Sequence, residues 1–214
     1  MNGNTPRHKV FISYYHADDQ WYKDELLRQN KVSGDALFLD WSVHEDEIDD
    51  TSLTSEQIRQ IIRDDYIKDA TVLILLCGEN SRYRKHIDWE VHAAMFNTHK
   101  NPQMGILVIN LTTITQSCRA HGVGEKTLVS PGGSWITFST RTEYETAYPY
   151  MPERIIDNFF AGVSDGEIIP ISVVDWNRIS GNPDVLKELV HIAYERGKTS
   201  KHYDHSRKLR GRNS

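Results

Sequence analysis

Apolar positions along the chain follow two alternating periods. Residues 9–15 (KVFISYY) form a β-branched and aromatic run bounded by polar residues, which predicts a first strand. Asp18 is placed to cap a following helix in which Tyr22 and Leu26 stack one turn apart. Residues 36–40 (ALFLD) predict a second short strand, and residues 41–52 a loop containing an acidic cluster. Thr54 precedes Gln57 at capping-box spacing, and Ile58, Ile61, Ile62 and Ile67 form a stripe behind it, so residues 55–68 read as a helix. The unbroken apolar run in residues 71–77 predicts a third strand covered on both faces. Ile87, Val91, Ala94 and Met95 share one helical face, predicting a helix over 86–98.

Residues 105–111 (GILVINL) predict a fourth strand. Residues 112–148 show no helical period and contain the turn signal Pro131-Gly132-Gly133, so they read as an insertion with one hairpin near 134–139. Pro152 suits the first turn of another helix, with Ile155, Ile156, Phe159 and Phe160 on its apolar side and Gly162 as its stop. A fifth strand over 167–174 and a last helix over 184–196, with Leu186, Leu189, Val190, Ala193 and Tyr194 in register, complete the pattern. Strands alternating with helices imply a parallel sheet with helices on both faces. The expected architecture is an α/β, flavodoxin-like, five-stranded sheet, with an insertion at about 112–150 between strands four and five. One domain over 8–198 is followed by a flexible basic tail over 199–214.

Charge refines this picture. The net charge is -5, yet residues 198–214 carry +5, which leaves -10 on the rest. An acidic body argues against nucleic acid as the ligand. The tail reads either as a solvated terminus or as a patch that touches anions. There is no charged-then-apolar leader, and residues 72–77, the longest apolar run, are too few to span a bilayer, so a cytoplasmic protein with no membrane partner is expected. Cys77 and Cys118 do not make a disulfide framework, and Cys77 ends an apolar strand where a reduced thiol is expected. The ten histidines lack zinc spacing, and the acidic residues 45–50 lack the order of a calcium loop, so no metal is expected. No GxGxxG, Walker loop or GxSxG occurs.

The candidate chemistry lies in residues 69–94, a strand, a short polar loop and a helix bearing Glu90 in its second turn. Such a helix projects an acid toward the sheet rim, where open α/β sheets bind ligands. Glu90 sits roughly 60° from Ile87 around the axis, at the border of the buried stripe. It is either a working carboxylate or a border acid paired with a cation. His86, one turn earlier, is either its orienting partner or a surface side chain. Trp89 projects from another side of the helix, to pack under the insertion or to meet another subunit. Ser13 and Tyr14 end the first strand, with Ser13 and Tyr15 on one face and Tyr14 on the other. Trp41 and Ser42 follow the second strand, where Trp41 either closes over a ligand ring or packs.

Several of these segments together resemble a TIR domain, more closely the TIR-like ThsB family of Thoeris bacterial antiphage defence. They are Val10 through Asp18 (VFISYYHAD), Phe38-Leu39-Asp40-Trp41 with the acidic loop after it, residues 64–78, and Ser81 through Glu90. The resemblance is co-linear over residues 8–111. It implies cleavage of the nicotinamide–ribose bond of NAD+, a substrate and not a cofactor. It implies a linear, cyclic or conjugated ADP-ribose product, which signals to a separate effector protein. Glu90 would steady the oxocarbenium-like sugar as nicotinamide departs. Ser13, Tyr14, Trp41, Ser42, Ser81 and His86 would line the substrate site, and self-association would accompany activity. His86 stands where the family often has a tryptophan. Other TIR domains only assemble, so a non-catalytic interaction module is the competing expectation. A flavodoxin-like binder of another nucleotide is the third.

Overall fold

The computed structural model describes residues 6–42, 53–98, 101–111, 128 and 138–211. Five strands, β1 (Lys9–Ser13), β2 (Leu39–Asp40), β3 (Val72–Cys77), β4 (Gly105–Asn110) and β5 (Ser172–Asp175), form one sheet in the order β2-β1-β3-β4-β5. All neighbours are parallel, with Val10 opposite Val72, Cys77 opposite Asn110, and Asn110 opposite Asp175. The α/β, five-stranded flavodoxin-like expectation is therefore met.

The helices are α1 (His16–Val32), α2 (Ser55–Ile61, running into a π turn Ile62–Tyr66), α3 (Lys85–Met95), α4 (Arg141–Ala147), α5 (Glu153–Ser164), α6 (Trp176–Ile179) and α7 (Pro183–Gly197). Alternation along β3 sorts them into two layers. Val72, Ile74 and Leu76 face Tyr22 and Leu26 of α1 and Leu186, Leu189 and Val190 of α7. Leu73 and Leu75 face Ile58 of α2, Ile87 and Val91 of α3, and Ile155 and Ile156 of α5. Every residue of β3 and β4 is buried, as strands covered on both faces must be. The last helix lies so close to β4 that a Cβ on Gly105 would fall 1.8 Å from the Ala193 carbonyl oxygen.

Several boundaries differ from the sequence expectation, each for a local reason. The capping box at Thr54 forms, with Thr54 N–H donating to Gln57 and Gln57 N–H to Thr54 Oγ1. Asp18 does not cap α1; Tyr15 holds that place, and Asp18 and Asp19 lie in the first turn, where the helix dipole favours acids. The fifth strand starts at Ser172, because Pro170 has no N–H to give to a ladder, and Ile168 bridges instead to His202. Within the expected insertion, a capping box between Thr140 and Glu143 starts α4, which the apolar period did not reveal. The hairpin expected near 134–139 lies almost wholly outside the described residues. Gly162 falls inside α5 and does not stop it, and Phe160 is exposed.

The basic C-terminal segment is the largest correction. Where a solvated end was expected, residues 199–211 lie along the α3–α5 layer. Tyr203 is buried and donates to the Met104 carbonyl at 2.9 Å. Asn158 exchanges two hydrogen bonds with the Asp204 backbone, both at 2.8 Å. Arg154 reaches the carbonyls of Arg207 and Lys208 at 2.9 and 3.2 Å. A buried guanidinium needs acceptors on all sides, and the tail backbone supplies them. Among the described residues, no helix is long and apolar enough to cross a membrane.

Candidate functional site

The strand order reverses between β1 and β3, so their helices leave on opposite faces and open a crevice at the strand ends. Strand alternation turns Ser13, like Phe11, toward α3. Helix α3 brings Glu90 to meet it: the Ser13 hydroxyl donates to Glu90 Oε2 at 2.5 Å. Glu90 is 5 % exposed and Ser13 fully buried. Glu90 thus occupies the end of the sheet, out of bulk solvent.

The neighbours of Glu90 on α3 do different work. Asp88 accepts from the buried Arg154 through both oxygens, at 3.0 and 3.1 Å, and from the Arg210 backbone at 2.9 Å. Trp89 is buried, with its indole N–H on the Arg210 carbonyl at 2.9 Å, so it packs under the C-terminal segment. Half-buried His86 sets its ring edge-on against Trp89, with centroids 5.1 Å apart.

The other expected site residues divide. Tyr14 turns to the opposite face, as alternation requires, where it donates to Gln20 at 2.7 Å and lies under Lys23. It is not brought beside Glu90. Trp41 is directed away from a ligand at the rim. Its indole donates to the Lys68 carbonyl at 2.6 Å, and Lys9, at the start of β1, lies 4.0 Å over its ring. Ser42 accepts from Ile12 N–H at 3.2 Å and continues the sheet edge. Ser81 is fully buried and takes the Gly78 N–H at 2.9 Å, so its hydroxyl closes the turn after β3. The acidic cluster at 45–50 lies outside the described residues.

Residues that the sequence reading passed over complete the rim. Arg84, at the N-terminus of α3, lays its guanidinium 3.8 Å over the Tyr15 ring. Asp19 is buried at the end of β3, and its acid is pushed up to about 6, first by burial and then by Asp18. Asn110 ends β4 at 1 % exposure, with neither amide atom hydrogen-bonded. Burial raises the thiol pKa of Cys77, opposite Asn110, and holds it as an inert S–H. Among these groups only Asn110 carries a sequence signal, a polar residue ending the apolar run of β4. Two clefts lie elsewhere. One of about 380 Å³ sits at the opposite end of the strands, where β3 and β4 begin, beside Thr71, Met104 and Tyr194. One of about 190 Å³ lies beside Arg82, Glu153 and Arg207.

With this geometry in place, the family comparison is decisive: the family model for the Thoeris protein ThsB, TIR-like domain, matches residues 11–116. This part of the chain belongs to the Thoeris ThsB TIR-like family. No curated protein matches the chain. The ThsB-type segment runs from Phe11 within β1 through β4 and therefore holds both members of the Ser13–Glu90 pair. The elements outside the match, α4 through α7 with β5 and the C-terminal segment, supply the second face of α3 and the far edge of the sheet.

Proposed function

We propose that the chain is a TIR-like NAD+ glycohydrolase or cyclase whose ADP-ribose-derived product, a cyclic isomer in the favoured form, activates a separate defence effector. The observation that carries this reading is the buried Glu90, oriented by Ser13 at the switch point of the sheet. Family membership supports NAD processing as the general chemistry.

The chemistry follows from charge. Nicotinamide leaves as a neutral pyridine, taking the electron pair of its bond to the ribose, and positive charge develops on the sugar. A carboxylate held in a dry site stabilises that charge far better than one in water, and its orientation costs nothing at the moment of reaction. The Ser13 hydroxyl fixes the carboxylate rotamer. Arg84 stacked on Tyr15 offers a positive group for the diphosphate. Within this reading the protein is one domain that takes in the docked C-terminal segment, and it works by self-association and a diffusible nucleotide signal.

The test is nicotinamide release from NAD+ by the full chain, with products identified by mass, beside Glu90→Gln. The variant keeps the volume and the Ser13 contact but loses the charge. A fall of roughly 10²-fold or more is expected. Unchanged turnover in the folded variant would remove Glu90 from its role. If neither protein releases nicotinamide while self-association persists, the assembly-module reading takes its place.

A further inference from the structure

The crevice at the switch point is crossed twice. Glu90 of α3 reaches Ser13 at the end of β1. Asp19 of α1 makes the reciprocal crossing: its carboxylate presses on Gly78, the residue after β3. A Cβ built on Gly78 would fall 2.6 Å or less from both carboxylate oxygens, so only glycine leaves that seat open. Asp19 is 3 % exposed, and its Oδ2 has no hydrogen-bond partner.

The surroundings of Asp19 offer it little relief. Among the described residues the charged groups that face it are acids, Asp18 on its own helix and Glu79 after β3; the Tyr15 backbone gives the carboxylate one hydrogen bond, and the thiol of Cys77 nearby is neutral. The nearby amide of Asn80 donates to Asp18 at 2.6 Å. A buried carboxylate oxygen with no donor, facing like charges, costs stability. An acid perturbed by burial and a like charge, seated at a ligand-binding rim, has the features of a functional group.

We propose that Asp19 is the second functional carboxylate of the crevice, accepting the proton of the hydroxyl that attacks the anomeric carbon. This rests on the NAD+ reading and divides the work between two acids. The bond from the ribose carbon to nicotinamide breaks, and its electron pair leaves with the base. The incoming oxygen, from water or from another ribose hydroxyl of the same dinucleotide, forms the new bond to that carbon. Its proton passes to Asp19 and then to solvent, while Glu90 stays ionised throughout. A base whose acid form titrates near 6 is ionised at neutral pH and still holds a proton well enough to draw it from a hydroxyl becoming acidic in the transition state.

The experiment measures nicotinamide release by the full chain from pH 5 to 8.5 for the wild type, Asp19→Asn, Asp19→Glu, Gly78→Ala and Glu90→Gln. The wild-type rate should rise along a limb centred near 6. Asp19→Asn should fall by roughly 10²-fold and lose that limb. Asp19→Glu should recover part of both, which a merely structural role would not produce. Gly78→Ala, by evicting the carboxylate from its seat, should lower the rate and displace the limb. A folded Asp19→Asn that keeps the wild-type rate, or a loss of rate with the limb intact, overturns the proposal while leaving the NAD+ reading standing. If Glu90→Gln stays active and Asp19→Asn does not, the Glu90 assignment falls and Asp19 remains. A wild type that releases no nicotinamide sinks both.

Discussion

Replacing Asp19 by Asn should stabilise the protein at neutral pH. The amide has nearly the same shape as the carboxylate and retains an oxygen for the Tyr15 backbone contact, so packing against Gly78 is preserved. The acid rises from 3.8 to about 6 in the folded state. The folded protein therefore binds this proton more tightly than the unfolded chain does. As pH rises through the interval from about 4 to 6, the unfolded state releases the proton first, and the folded state loses stability relative to it. About two pKa units correspond to about 3 kcal/mol at most, and solvent relaxation near the rim brings the expected value to ~1–3 kcal/mol. Asp19→Asn does not titrate here. It should exceed the wild type by that amount above pH 7, and the gap should close below pH 4.

Urea midpoints at pH 7.5, 5 and 4 read this directly, with equal slopes checking that the two unfolded states are alike. Glu143, Glu153 and Asp204, whose pKa values lie below the ordinary range, titrate in both proteins and cancel in the difference. An Asn variant less stable than the wild type at pH 7.5, or a gap that does not change with pH, would refute the argument. Either result would mean that Asp19 is compensated by a partner and does not bear the cost of an uncompensated charge.

Other changes test the remaining contacts. Ser13→Ala removes the donor to Glu90 while leaving the charge, so nicotinamide release should fall roughly 10- to 100-fold with the fold intact, the loss of one charge-assisted hydrogen bond. A rate within twofold of the wild type would mean that Ser13 does not orient the acid. Arg154→Met should cost about 3–5 kcal/mol in urea unfolding, because Asp88 is left buried without its cation, and should speed trypsin cleavage near Arg207 by freeing the segment from Arg154. Adding Asp88→Asn should restore much of that loss, and failure to do so would show that the tail carbonyls, not Asp88, are the main partners of Arg154.

The sheet was readable because β3 and β4 are apolar runs, broken only by Asn110 at the end of β4, as strands buried at every position and covered on both faces must be. Glu90 was readable because helix periodicity placed it beside a buried stripe, and Ser13 because strand alternation assigned it a face. Three other candidates are engaged with backbone groups for a common reason. Trp41, Ser42 and Ser81 were chosen by proximity to a strand end, but their polar atoms close turns and edges: the indole of Trp41 on Lys68, and the hydroxyls of Ser42 and Ser81 on Ile12 and Gly78. Backbone groups at a strand end must be satisfied, and the nearest side chains are consumed by that need. The C-terminal segment was misread because its six cations suggested solvent, whereas much of its attachment is through backbone carbonyls that composition cannot reveal.

Two acids two residues apart on α3 show how a fold separates support from chemistry. Asp88 faces outward from the sheet, where Arg154 and the Arg210 backbone hold it in a bidentate clasp that fixes the helix. Glu90 faces the strand ends, where Ser13 brings a donor but no charge of its own. The clasp makes the position of the helix independent of whatever Glu90 binds. A carboxylate whose backbone is anchored elsewhere can be lent to a passing cation without loosening the core. On the proposed NAD+ reading, that is the arrangement a sugar charged only during its reaction needs, because the stabilising charge must already be in place when the pyridine base begins to leave.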